Sequence, residues 1–329
     1  MRQRTASFAF AAMFAVALAL SPALAVAQTP PPLGHDRESD TDDGSGHRHA
    51  VVPAFKHVIV VIMENRSYDQ ARVAPYTANL IASGSSFSAS TAVTHPSLPN
   101  YLALWSGSTE GVTDDACPPK GAPYPNENLG AACEAAGLSW RAYSEDLPAA
   151  GSTVCTNHGS LYTRKHDPWT YYSNLNHANE RPYSDLDADI AAHALPNLAF
   201  VIPNNCHNSH DGGACNVAAG DAWLTANLPA MIRAVGHHGL VILTWDEDDF
   251  TKVNRILTVM SGPLVRPGYV SARPINHYSV LRTICDGLGV KPFGEAAHAA
   301  PITDVWRPES ERHESEDHES NSDDAREQR

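Results

Sequence analysis

His57–Met63 reads HVIVVIM and runs directly into Glu64-Asn65; Gly239–Trp245 reads GLVILTW and runs directly into Asp246-Glu247. Each is a short apolar run without polar alternation, the pattern of a strand buried on both faces. Asn197–Pro203 (NLAFVIP) and Ile256–Ser261 (ILTVMS) have the same character. Helical patterns lie between them, over Tyr76–Ser83, Asn100–Trp105, Asn128–Ala136, Ser184–Ala194, Ala219–Val235 and Tyr278–Leu288. Strands alternating with helices predict an α/β fold, a mostly parallel central sheet with helices on both faces. In such sheets functional groups gather just beyond the carboxyl ends of the strands. Two acidic clusters at two such ends mark the candidate site.

Outward from that core, the chain changes character. Arg2 and Arg4 precede an apolar run from Phe8 to Leu20, with small residues at Ala25 and Ala27. This predicts a secretory signal peptide over residues 1–27 and a secreted product, extracellular or periplasmic. The run is too short for a comfortable span, so no stable membrane insertion is expected. Residues 28–50 and 308–329 carry almost nothing to bury, and both are predicted to be disordered. The first has five acids against two bases, the second nine against three. Much of the net charge of −14 is therefore peripheral, and its sign argues against nucleic-acid binding. Residues 51–307 are enough for one large catalytic domain. Six cysteines (Cys117, Cys133, Cys155, Cys206, Cys215, Cys285) in a secreted chain point to disulfides, and their spacing matches no zinc pattern.

Glu64 and Asn65 after a buried strand are hard oxygen ligands suited to a divalent cation, or simply a turn cap. In Thr94-His-Pro-Ser-Leu-Pro-Asn-Tyr101, Ser97 sits between two prolines where a helix begins. It is either a plain helix start or a nucleophile where helix N–H groups favour a phosphate. A serine hydroxyl needs a base or a metal to attack near neutral pH. Trp245-Asp-Glu-Asp-Asp249 offers ligands in Asp246 and Glu247, with Asp248 and Asp249 expected in solvent. His210, in Cys206-His-Asn-Ser-His-Asp211, follows another strand and is placed to bind metal or protonate a leaving group. His277 opens the last helix pattern as cap or ligand. Carboxylate-rich ligation with few histidines leans toward Ca²⁺, Mg²⁺ or Mn²⁺ over Zn²⁺.

Together these segments resemble the bacterial phosphoesterase family that contains secreted acid phosphatases and phospholipases C, itself distantly like alkaline phosphatase in fold. The matching stretches are Met63-Glu-Asn-Arg-Ser-Tyr-Asp69, His95-Pro-Ser-Leu-Pro-Asn100, Ser209-His-Asp-Gly212, Gly220-Asp-Ala-Trp-Leu224, Thr244-Trp-Asp-Glu-Asp-Asp249 and Ile275-Asn-His-Tyr278. The mycobacterial secreted branch, acting on phosphatidylinositol 3-phosphate, adds Tyr143-Ser-Glu-Asp-Leu-Pro148, Gly151-Ser-Thr-Val-Cys155, Arg164-Lys-His-Asp-Pro-Trp169 and Pro301-Ile-Thr-Asp-Val-Trp306. The resemblance spans nearly all of residues 55–306. It implies an acid phosphatase that hydrolyses phosphate monoesters, phosphoinositide headgroups among them, through a phosphoseryl intermediate on Ser97. It further implies Asn100 on the phosphoryl oxygens, metal at Glu64, Asn65, Asp246 and Glu247, and His210 and His277 completing the site. Asn208 stands where relatives carry Asp, so a second metal is not implied. Cys117 and Cys155 match cysteines of the mycobacterial branch, which implies that they are bonded. Cys206 and Cys215 are close enough in sequence to staple the loop of His207 and His210, leaving Cys133 with Cys285. Two rival readings stand beside this one, a phospholipase C-type phosphodiesterase and a non-catalytic metal-binding protein.

Overall fold

The computed structural model describes residues 51–311, so the expected signal peptide, the linker and all but the first residues of the acidic tail lie outside the described residues. An eight-stranded sheet forms the centre. Its strands are β1 (His57–Met63), β2 (Ser85–Phe87), β3 (Trp140–Ser144), β4 (Glu180–Pro182), β5 (Leu198–Ile202), β6 (Gly239–Trp245), β7 (Thr258–Ser261) and β8 (Tyr269–Ser271). They lie in the order β8-β2-β7-β6-β1-β5-β3-β4. β1 pairs in parallel with β5 on one side and β6 on the other, with Val58 opposite Leu198 and Leu240. β7 alone runs against both its neighbours. The sheet is thus mostly parallel, as the apolar runs predict.

The helices are α1 (Tyr68–Ala71), α2 (Pro75–Ser83), α3 (Ser97–Ser106), α4 (Leu129–Ala135), α5 (Ser184–Ala191), α6 (Val217–Ala234) and α7 (His277–Leu288). Side chains alternate across a strand, so β1 feeds two cores. Val58, Val60 and Ile62 pack with Leu98, Tyr101 and Trp105 of α3 and with Val280 and Ile284 of α7. Ile59, Val61 and Met63 pack with Leu80 of α2 and with Trp223, Leu224 and Met231 of α6. Burial on both faces is why these strands read as unbroken apolar runs.

Two disulfides form, Cys117–Cys155 and Cys206–Cys215. The third expected pair does not. Cys133 on α4 and Cys285 on α7 are free thiols buried in the same apolar core. Burial pushes each thiol up to about 12, so both pack as small neutral hydrophobes.

Candidate active site

Ser97 is the first residue of α3 and 1% exposed, and the His95–Pro96 peptide before it is cis. The approach to the helix is shaped by Asn100. Its Oδ1 accepts from the backbone N–H groups of Val93 and Thr94, each at 3.0 Å. Its Nδ2 donates to the carbonyls of Thr94 (2.8 Å) and Pro96 (3.1 Å). Four bonds exhaust a side-chain amide. Asn100, expected on the phosphoryl oxygens, is instead committed to the loop that aims Ser97. The helix N-terminus is also partly filled, since Asp115 Oδ1 accepts from Leu98 N–H at 3.0 Å.

The ends of β1 and β6 deliver the acids beside Ser97. Its hydroxyl lies 3.2 Å from Glu64 Oε2 and 3.3 Å from Glu247 Oε1. Glu64 is fully buried, and Tyr101 of α3 donates its hydroxyl to Oε1 at 2.5 Å. Asn65 turns the chain with φ +51, a left-handed conformation that Asn tolerates. Its N–H donates to Asp246 Oδ1 at 3.2 Å, which ties the two strand ends together. Burial favours the protonated form of Glu64, but His166, Lys165 and His210 outweigh it and hold the carboxyl well below its usual range. Burial, then the charges of Glu64 and Glu247, pushes Asp246 well up. Burial also raises Glu247 to about 7, against a lowering hydrogen bond from His95. Three carboxylates converging out of water cannot all stay ionised without added positive charge.

Histidines surround this cluster. His166, in the 3₁₀ turn Arg164–His166, places Nε2 3.0 Å from Glu64 Oε1. Donor atoms of Glu64, His166 and His210 lie within 4.8 Å of one another, an arrangement that can hold a metal ion. Several buried polar atoms nearby have no hydrogen-bond partner, namely Asn65 Oδ1, Asp246 Oδ2 and His277 Nδ1. Such orphans are rare in folded proteins and are what an ion would satisfy. His277, fully buried, shares a hydrogen bond of 2.7 Å between Nε2 and the Asp246 carbonyl, and burial lowers it to about 4. It is therefore neutral, and its Nδ1 keeps a free lone pair. Lys165 Nζ, 2.8 Å from Asp115 Oδ2 and 3.3 Å from His210 Nε2, brings a cation to the start of α3.

The chain matches the Phosphoesterase family over residues 71–291. The chain belongs to that family. It is 42% identical to a phosphatidylinositol-3-phosphatase of Mycobacterium tuberculosis, over 78% of this chain and 85% of that protein. It is 27% identical to a probable acid phosphatase of Kluyveromyces lactis (70% of this chain, 58% of that one). An acid phosphatase of Aspergillus fumigatus is 26% identical (77% and 59%), so the chain spans somewhat over half of these fungal relatives. Among solved structures, an alkaline-phosphatase-superfamily protein from Vibrio parahaemolyticus superposes with a TM-score of 0.58 at 11% identity, covering 80% of this chain and 73% of that one. The phosphoesterase therefore has the α/β fold of that superfamily and is a phosphoric monoester hydrolase.

Of the residues singled out in the sequence, Glu64, Asn65, Ser97, Asp246 and Glu247 come together beyond the carboxyl ends of the central strands β1 and β6. His210 and His277 border it. Two further readings change. Asp248, expected in solvent, is 1% exposed because its carboxylate accepts from Thr251 N–H at 2.8 Å and from the Thr251 hydroxyl. The side chains whose donor atoms could together hold a metal ion are two imidazoles and one carboxylate, so the premise of few histidines does not fit that group. Asn208 is structural, its Oδ1 accepting from His210 N–H at 2.9 Å and its backbone carbonyl from Glu64 N–H at 2.9 Å. His166, Lys165 and Tyr101 were not singled out, although His166 and Lys165 stand in the Arg164–Trp169 motif.

Proposed function

We propose that this phosphoesterase is a secreted, metal-dependent acid phosphatase that hydrolyses phosphate monoesters through a phosphoserine on Ser97. The observation that carries the reading is the Ser97 hydroxyl set between Glu64 and Glu247, 3.2 and 3.3 Å away, beside buried ligand atoms without partners. Glu64, His166 and His210 would hold the ion, with Asn65 Oδ1, Asp246 Oδ2 and His277 Nδ1 available to it. A divalent ion there would supply positive charge to the phosphoryl oxygens and acidify the serine hydroxyl. The mixed donor set suits Zn²⁺ or Mn²⁺ as well as Ca²⁺ or Mg²⁺.

The chain's own groups do the rest. Glu247 in its ionised form takes the Ser97 proton as Oγ attacks phosphorus and the ester oxygen leaves. His95 Nδ1, 2.5 Å from Glu247 Oε2, fixes that carboxylate. Water then cleaves the phosphoserine, releasing inorganic phosphate and restoring the hydroxyl. Lys165 faces the incoming dianion from the start of α3. The relative's action on phosphatidylinositol 3-phosphate supports phosphoinositide headgroups as substrates here. Secretion is supported by the two disulfides, and among the described residues no helix is long and apolar enough to cross a membrane.

The test combines metal analysis, chelation and turnover of p-nitrophenyl phosphate, a phosphoinositide and phosphatidylcholine over pH 4–9, with acid quenching to trap phosphoserine. Full activity after complete metal removal would sink the metal dependence. Faster cleavage of phosphatidylcholine than of the monoesters would instead favour a phosphodiesterase.

A further inference from the structure

The loop after the acid cluster carries an arrangement that the chemistry at Ser97 does not use. Phe250 is 65% exposed and Val253 68%, with the exposed Lys252 between them. The other exposed large apolar side chains among the described residues are the valines Val51, Val73, Val154 and Val270. Only here do an aromatic and an aliphatic stand out on one short loop. Phe250 also has φ +66, a backbone that bulky side chains avoid and that persists only where the surroundings enforce it. They do so here. Buried Asp248 binds Thr251, Asn254 Oδ1 accepts from Asp248 N–H at 2.9 Å, and Asn254 Nδ2 donates to the Thr94 carbonyl at 2.6 Å. The Phe250 ring stacks on His95 with centroids 5.0 Å apart, the same His95 that meets Glu247. A rigid apolar tip therefore stands at the rim of the site.

We propose that this tip docks the enzyme on a lipid surface. Phe250 and Val253 enter the boundary between headgroups and acyl chains while Lys252 meets lipid phosphates, which brings Ser97 to a phosphorylated headgroup. The inference rests on the reading that phosphoinositide headgroups are substrates. An aromatic, an aliphatic and a lysine are the composition of interfacial contacts, where apolar bodies go in and the cation stays at the surface. Of the neighbouring acids, Asp248 is buried in the turn, and the charge of exposed Asp249 is offset on the same loop by Lys252. Two side chains fall far short of a stable anchor, so the contact lasts for a turnover and shows in KM.

The experiment compares wild type with Val253→Asp and Lys252→Glu on two forms of phosphatidylinositol 3-phosphate. One is the water-soluble short-chain lipid; the other is the long-chain lipid in phosphatidylcholine vesicles. The expected result is a loss of roughly tenfold in kcat/KM on vesicles for Val253→Asp, about what one inserted valine contributes, with soluble turnover unchanged. Equal effects on both forms, or none on vesicles, overturn the docking. If wild type does not hydrolyse the soluble lipid, the substrate reading has failed. Co-sedimentation with phosphatidylcholine–phosphatidylserine vesicles then decides the docking alone, reduced pelleting of Val253→Asp sustaining it and equal pelleting overturning it. A dimer of wild type abolished by Val253→Asp would assign the tip to a second copy of the chain and also overturn it.

Discussion

At the scale of single residues, Ser97 and Asn100 lie three positions apart and should fail in different ways. Ser97→Ala removes only the hydroxyl between Glu64 and Glu247. Turnover should fall by about 10³-fold or more, with melting temperature and metal content unchanged, as chromogenic assay, calorimetry and elemental analysis would show. Activity within tenfold of wild type would remove Ser97 from the chemistry. Asn100→Ala strips four hydrogen bonds from a loop closed around a buried residue. It should lower stability by at least about 2 kcal/mol in denaturant titration as well as turnover. Metal loss on removing Asp246 and Glu247 together is the third residue-scale expectation, since Asp246 Oδ2 has no other buried partner. The acids and the serine were legible because a strand end or a helix start gives each a position. Asn100 was not, because its partners are backbone atoms that sequence does not name. His166 lies in a 3₁₀ turn after a strand of only two residues, Tyr162–Thr163, too short to show a periodicity that would point to it.

Elements were legible where one pattern settles them. The helix patterns at Tyr76–Ser83 and Tyr278–Leu288 lie within a residue of α2 and α7. Direction is another matter. An apolar run specifies burial and not polarity, so β7 runs antiparallel although its sequence looks like that of β6. Contacts between elements were equally hidden. Asp221 of α6 accepts from the N–H groups of Tyr76 and Thr77, both at 2.9 Å, and so caps α2, which has no side-chain cap of its own. Gly220 beside it lets α6 approach the His210 loop, since a Cβ there would lie 2.3 Å from Ser209 Oγ. Asp221→Ala should therefore lower stability by about 1–3 kcal/mol in chemical denaturation, while kcat of the folded fraction holds. A loss below about 0.5 kcal/mol would mean that the cap contributes little.

At the scale of the whole molecule, the buried acids set how stability follows pH. Asp167, next in sequence to His166, is fully buried, with Oδ1 accepting from Ser144 at 2.6 Å. Burial raises its carboxyl from 3.8 to about 7, against lowering bonds from Ser144 and Tyr162. The folded chain thus keeps a proton that the unfolded chain gives up near pH 4. Between those values the native state binds more protons, so this group's stabilising effect falls as pH rises and is gone above about 7. At about 1.4 kcal/mol per pH unit, going from pH 7 to 5.5 restores about 2 kcal/mol. His277, lowered to about 4, acts in the opposite sense below its ordinary value of 6.5, because the unfolded imidazole gains the extra proton. The net slope therefore mixes both signs, and the contribution of Asp167 must be read by difference. Asp167→Asn keeps an oxygen for Ser144 but cannot titrate. Measured in the same buffers, the stability of wild type relative to this variant should rise by about 2 kcal/mol from pH 7 to pH 5.5. A constant gap between the two curves would show that Asp167 is already ionised in the fold, and the protein would then lack this source of greater stability in acid.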